Sequence, residues 1–115
     1  MPDLDILDQL AHDVGADTAL KLLEIFKNDA ETRIAKIEDY LINGGDIAEL
    51  RIQAHSLKGL CLTYGAVDGG EAARALQDAC DGANETEIRA QALAARDILK
   101  QDIAATLSAA QTRNA

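Results

Sequence analysis

Proline and aromatic residues are scarce in this sequence. Pro2 is the only proline, tryptophan is absent, and aromatic side chains make up 3% of the 115 residues. β-Sandwiches concentrate aromatic and β-branched residues, so this composition argues against them and favours helices. No apolar run approaches the roughly 18 residues that cross a bilayer, and no signal-peptide pattern opens the chain. We therefore expect a cytoplasmic protein that makes no contact with a membrane.

Basic residues and cysteines are also few. Eleven Lys and Arg residues stand against twenty Asp and Glu, which gives a formal net charge of -9. Such a surface repels the phosphates of nucleic acids, so we expect no nucleic-acid partner. Two cysteines, Cys61 and Cys80, are too few for a disulfide framework. We expect both thiols to pack in the core and to have no metal or redox role.

Apolar residues at helical spacing dominate the rest of the chain. Stripes with the 3.6-residue period predict five helices in a single domain, residues 1–115. Short connections make neighbouring helices antiparallel, so the expected fold is all-α, an up-and-down antiparallel four-helix bundle with a short extra N-terminal helix. No apolar stripe is left over for a second copy, and we expect a monomer. The expected boundaries are Gly15 as the end of the first helix, Asp17 or Thr18 and Asp46 as N-caps of the second and third, Val67–Asp81 for the fourth and Glu85–Ala110 for the fifth.

His55 points away from the apolar side of the third predicted helix. At 100° per residue it lies roughly 130° from the direction of the apolar stripe. Its own side of the helix carries Ile52 and Leu62, which are apolar where no core requires it, and Gly59. A glycine inside an exposed helix costs on the order of 1 kcal/mol relative to alanine. Each of these residues alone is compatible with an ordinary solvent-exposed helix face, but together they predict a functional site around His55.

The residues around His55 limit the roles that its imidazole can have. Imidazole can act as a base, a metal ligand or a nucleophile. A convex helix face offers no pocket for a base, and the other histidine, His12, lies in the first helix. Arg51 and Lys58 lie within side-chain reach of His55; both repel a metal ion and attract an anion. A phosphoryl group carried on a ring nitrogen fits these residues, whereas a metal site does not.

The stretch resembles the histidine-containing phosphotransfer (HPt) domains of two-component phosphorelays. The family signature, His-x-x-Lys-Gly with a second glycine ten residues beyond the histidine, stands here as Ala54-His55-Ser56-Leu57-Lys58-Gly59 and Gly65-Ala66. The resemblance implies that His55 is phosphorylated, that Lys58 lies beside the phosphoryl group and that Gly59 gives clearance. Gln77 matches a glutamine that many members place near the histidine. Two stretches depart from the family pattern: Leu60-Cys61-Leu62 replaces small residues, and Asp68-Gly69-Gly70 predicts a polar, flexible start to the fourth helix.

The resemblance implies a phosphocarrier rather than an enzyme. Its partners are receiver domains of a hybrid histidine kinase and a response regulator, and the receiver brings the aspartate and Mg²⁺, so this chain is expected to bind no cofactor. The expected docking face has Ala48, Ile52 and Leu62 in its apolar middle, with Arg51 at its edge. Two alternatives stay open: an HPt-like adaptor that does not transfer phosphate, and a fragment resembling the substrate module of a chemotaxis kinase.

Overall fold

Five helices form the computed structural model, which describes residues 1–114. They are α1 (Leu4–Val14), α2 (Ala16–Asn43), α3 (Ile47–Tyr64), α4 (Val67–Gly82) and α5 (Glu85–Arg113). The five-helix prediction is confirmed; α4 and α5 run one and three residues beyond their expected ends. No helix in this part of the chain has the length and apolarity that spanning a bilayer requires.

The four long helices pack in a ring in which α3 contacts α4, α4 contacts α5, α5 contacts α2 and α2 contacts α3. The expected all-α bundle is therefore confirmed, in an elongated body of 44 × 20 × 18 Å. Helix α1 packs mainly on α2. The large fully buried side chains come from every helix, as the apolar stripes predict; they include Leu7, Phe26, Leu57, Leu76 and Leu99.

The predicted cap of α3 is confirmed, whereas that of α2 is wrong. Asp46 accepts a hydrogen bond from the backbone N–H of Ala48 at 2.9 Å. No side chain caps α2, because Gly15 ends α1 and α2 begins at the next residue. Gly15 has a φ of +87°, a conformation that glycine adopts without strain. Asp17 lies instead in the first turn of α2, where its carboxylate favours the positive end of the helix dipole.

The start of α4 is also different from the prediction. Gly69 and Gly70 are buried within a regular helix rather than forming a flexible polar segment. Gly69 donates its backbone N–H to the buried carboxylate of Asp102 at 2.8 Å. A Cβ on Gly70 would lie only 2.8 Å from Cδ2 of Leu62. The glycines thus let α4 approach α3 and α5 closely, which sets the distance between the two helices that carry the site.

Gly65 joins the end of α3 to the N-terminal segment. It adopts a left-handed conformation with a φ of +84°, and its N–H bonds the carbonyl of Cys61. Its own carbonyl accepts the backbone N–H of Asp3 at 2.7 Å. The second glycine of the signature is therefore a helix C-cap that also anchors the start of the chain.

Both cysteines are unpaired and buried, so their predicted place in the core is confirmed. Burial is the main cause that raises the pKa of the Cys61 thiol to about 12, with a further contribution from Asp102. The pKa of Cys80 is raised in the same direction and chiefly for the same reason. Both thiols are held in the protonated form, which is the unreactive one.

Candidate functional site

His55 lies in the middle of α3 and its side chain is exposed. The helix is oriented by buried residues on its other side, above all Ala54, Leu57 and Cys61, each with no exposed surface. Because these positions lie about 100–160° around the helix from His55, their burial turns the imidazole outward. The ring is therefore accessible to a macromolecular partner.

Gln77 of α4 contacts the imidazole directly. Its Oε1 lies 3.4 Å from Nδ1 of His55. An amide oxygen only accepts hydrogen bonds, so this contact favours the tautomer with the proton on Nδ1. The second ring nitrogen, Nε2, then keeps a free lone pair on the solvent side. The family resemblance implied that Gln77 lies near His55, and the structure brings the two side chains together.

The register between α3 and α4 explains this meeting. Three contacts follow one antiparallel register along the two helices: Arg51 with Asp81, His55 with Gln77 and Leu62 with Gly70. The close approach at Gly70 fixes the register at one end of the pair. The geometry at His55 therefore depends on the glycines at the start of α4.

Lys58 and Gly59 occupy the next turn of α3 after the imidazole. Lys58 is half-buried, and within residues 1–114 it forms no ion pair. Gly59 is exposed, and a Cβ built on it would meet no atom within 4 Å apart from its chain neighbours and the backbone of its own helix. Open space thus lies beside the ring, with an ammonium group one turn away that is available to an incoming anion.

Arg51 lies one turn before His55 but reaches toward α4. Its Nε donates to Oδ1 of Asp81 at 2.6 Å, and Nη2 approaches Oδ2 at 3.4 Å. This hydrogen bond is the largest cause that raises the pKa of Arg51. The structure therefore places the guanidinium in an interhelical ion pair, and its expected place beside a phosphoryl group stays a prediction.

Apolar side chains flank the imidazole on the same side of α3. Ile52 is 52% exposed and Leu62 is 44% exposed, and Ala48 is exposed one turn earlier. They leave an apolar strip along a helix that needs none for folding. Such a strip beside an exposed imidazole suits a protein partner whose contact excludes water.

Sequence reasoning did not select two charged residues of α4 near the site. Asp81 holds Arg51, and Arg74 lies where the register sets it level with Lys58. Arg74 is exposed and lies 3.9 Å from Glu71, a weak surface ion pair. Only the pairing of α3 with α4 shows that Arg74 lies on the neighbouring helix, three residues before the Gln77 that contacts His55. Of these cations, Arg51 and Arg74 are each paired with a carboxylate of α4.

The cationic side chains near the imidazole of His55 suit an anion. Within the described residues, no three His, Cys, Asp or Glu side chains come together as a metal site. His12 lies in a different helix, α1, in a segment with Asp8 and Asp13. The residues brought together on this surface are an exposed imidazole, cationic side chains and an apolar strip.

Comparison with known proteins agrees with this arrangement. The family model described as the Hpt domain matches residues 21–112, a span that includes His55, Lys58, Gly59, Gly65 and Gln77. No curated protein and no solved structure gives a significant match to the chain. The family match covers most of the chain, from the first turns of α2 to the end of α5. The chain therefore belongs to the Hpt domain family, the histidine phosphotransfer domains that act with kinases and receiver domains in phosphorelays.

Proposed function

We propose that this chain carries a phosphoryl group on His55 between the aspartates of two receiver domains, one in a hybrid histidine kinase and one in a response regulator. The observation that carries the proposal is the exposed imidazole whose Nδ1 contacts Gln77 at 3.4 Å. That contact leaves Nε2 free on the solvent side, next to the open space at Gly59. A receiver reaches the ring from outside, as a convex site requires.

The proposed transfer is a single displacement at phosphorus. The lone pair of His55 Nε2 attacks the phosphoryl group of an aspartyl phosphate on the receiver. A P–N bond forms as the P–O bond to the aspartate breaks, and the aspartate leaves as a carboxylate with the electron pair. The ring keeps its Nδ1 proton and becomes cationic, so the hydrogen bond to Oε1 of Gln77 strengthens. The reverse step delivers the phosphoryl group to the second receiver.

Most of the catalysis in such a transfer comes from positioning and charge neutralisation. The receiver is expected to supply Mg²⁺ with its aspartate, and this chain supplies the nucleophile and a docking surface. Lys58 offers positive charge to the phosphoryl oxygens, while Ile52 and Leu62 give the exposed apolar area that a receiver covers. The chain thus acts as a phosphocarrier and turns over no substrate of its own.

The proposed carrier works as a cytoplasmic monomer. Its exposed apolar area at the site lies on the face reserved for receivers. A second copy seated there would block the imidazole. Sedimentation equilibrium is expected to give the mass of one chain, and self-association that occludes His55 would contradict this part of the proposal.

Phosphoryl acceptance by matched histidine variants tests the proposal. A radiolabelled receiver phosphorylated on aspartate is mixed with the parent chain, with His55→Gln and with His12→Gln. We expect acid-labile label on the parent and on His12→Gln, and none on His55→Gln, with the same helical circular dichroism for all three. Label on His55→Gln would refute the assignment. A parent chain that binds the receiver and takes up no label would support the adaptor alternative instead.

A further inference from the structure

The ion pair between Arg51 and Asp81 crosses from α3 to α4 next to the site. The guanidinium makes one short and one longer contact with the carboxylate, at 2.6 and 3.4 Å. Arg51 lies four residues before His55, a spacing that puts Cβ atoms about 5–6 Å apart on one helix face. An arginine side chain spans that distance, so the same guanidinium also reaches a group carried on the imidazole.

Arg51 can leave Asp81 at little cost to the packing of α3 on α4. Its partners are 42% and 56% exposed, and ion pairs of this kind contribute little to stability. Asp81 lies in the last turn of α4, where the negative end of the helix dipole disfavours a carboxylate, and that turn holds no basic residue. Arg51 supplies the missing positive charge, and Asp78 adds to the acidic surroundings that attract it.

We propose that Asp81 competes with the phosphoryl group for Arg51 and thereby sets the share of phosphoryl group that His55 holds at equilibrium with a receiver. The inference rests on the proposed function and assigns the regulation of that same site. In the unphosphorylated chain Asp81 holds the guanidinium. A phosphoryl group on Nε2, with about two negative charges and three acceptor oxygens, draws it away from the single carboxylate.

The competition keeps the phosphorylated state from becoming too stable. A carrier must release its phosphoryl group to the next aspartate, and an arginine given wholly to the phosphoryl group would oppose that release. Asp81 returns a partner to Arg51 when the phosphoryl group leaves. It acts through Arg51 and is a positioning residue for the transfer.

The equilibrium partition of label between receiver and carrier measures this effect. The parent, Asp81→Asn, Arg51→Gln and the double variant are each brought to equilibrium with one labelled receiver in the presence of Mg²⁺. We expect Asp81→Asn to raise the carrier-to-receiver ratio about threefold, the factor that a unit charge about 7 Å away produces in water. Arg51→Gln should lower the ratio by a similar factor. In the Arg51→Gln background, Asp81→Asn should change it by less than about 1.5-fold, because Asp81 itself lies about a Debye length from the phosphoryl group.

Asp78→Asn is the matched control. It removes the same charge from the same end of α4 but leaves both hydrogen bonds of Arg51 intact, so its effect should be less than half that of Asp81→Asn. An unchanged ratio in Asp81→Asn, or an equal change with and without Arg51, would overturn the inference while label on His55 still upheld the proposed function. No label on any variant or on the parent would refute the proposed function itself.

Discussion

Replacing Gly65 or Gly59 by alanine should shift stability in opposite directions, although both glycines belong to the family signature. At Gly65 the φ of +84° is unfavourable for any residue with a Cβ, at a cost of about 1–2 kcal/mol. The new Cβ would also lie 3.0 Å from the backbone oxygen of Asp3, which the β-bridge between Pro2 and Ala66 holds in place. Crowding of this kind adds about 1 kcal/mol.

The net effect at Gly65 is a loss of about 2 kcal/mol, because alanine also lowers the entropy of the unfolded chain by about 0.4–1 kcal/mol. For a domain of this size that corresponds to a fall in Tm of about 8 °C. Gly59 lies in regular helix with nothing within 4 Å of a new Cβ. Gly59→Ala should therefore raise stability by about 0.5–1 kcal/mol, or Tm by about 2–4 °C.

Urea and thermal unfolding followed by circular dichroism at 222 nm measure both changes, with the parent as reference. Phosphoryl acceptance should survive in Gly65→Ala at temperatures below its Tm, since the substitution leaves the surface around His55 unchanged. A loss below about 0.5 kcal/mol at Gly65, or destabilisation at Gly59, would refute the reasoning. In that case a helix C-cap at Gly65 and an open surface at Gly59 would not explain the two glycines.

Three further predictions concern docking, thiol reactivity and pH. Ile52→Asp should block receiver binding and phosphoryl transfer because it puts a carboxylate in the apolar strip. The control, Glu87→Lys on the exposed surface of α5, should leave the transfer rate unchanged. Transfer by Ile52→Asp at the parent rate would show that the docking face lies elsewhere. Cys61, buried and with a pKa of about 12, should resist iodoacetamide at pH 8 in the folded chain and react after urea unfolding; mass spectrometry that finds native alkylation would place the thiol outside the core. Arg113 lowers the pKa of Asp8 through a hydrogen bond, so the folded pKa lies below the ordinary 3.8. The stability from this pair is complete above about pH 4 and is lost as pH falls through the folded pKa, so urea titrations of the parent and Asp8→Asn should differ at pH 6 and converge near pH 2.

Helical periodicity was sufficient to predict the bundle and the direction of His55. In α3, Leu50, Leu57 and Cys61 repeat at helical spacing and are buried, and the imidazole faces away from them, as expected. Such stripes can be predicted from the sequence because the geometry of a single helix determines which residues share a face. Leu4 shows where periodicity fails, because it lies three residues before the buried Leu7 of α1 and is nevertheless 43% exposed. The short helix α1 covers only part of the bundle.

Features that depend on two helices were harder to predict. Gly70 looked like a flexible breaker, yet it is buried because Leu62 of α3 fills the space where its side chain would be. The sequence marked Asp81 only as the end of the fourth helix, since its partner Arg51 lies thirty residues away on another helix. Spacing along the sequence placed Arg51 beside His55, but it could not show that the guanidinium pairs with the carboxylate of Asp81. Interhelical register, rather than composition, carries that information.

Relay between two receivers tests the central claim most directly. The chain is labelled from a first receiver, separated from it and mixed with a second, unphosphorylated receiver with Mg²⁺, and the label is followed on each protein over time. The account predicts that label leaves the chain as it appears on the aspartate of the second receiver, with little released as inorganic phosphate, and that His55→Gln passes none. Label that stays on the chain, or that reaches the second receiver through His55→Gln, would contradict it.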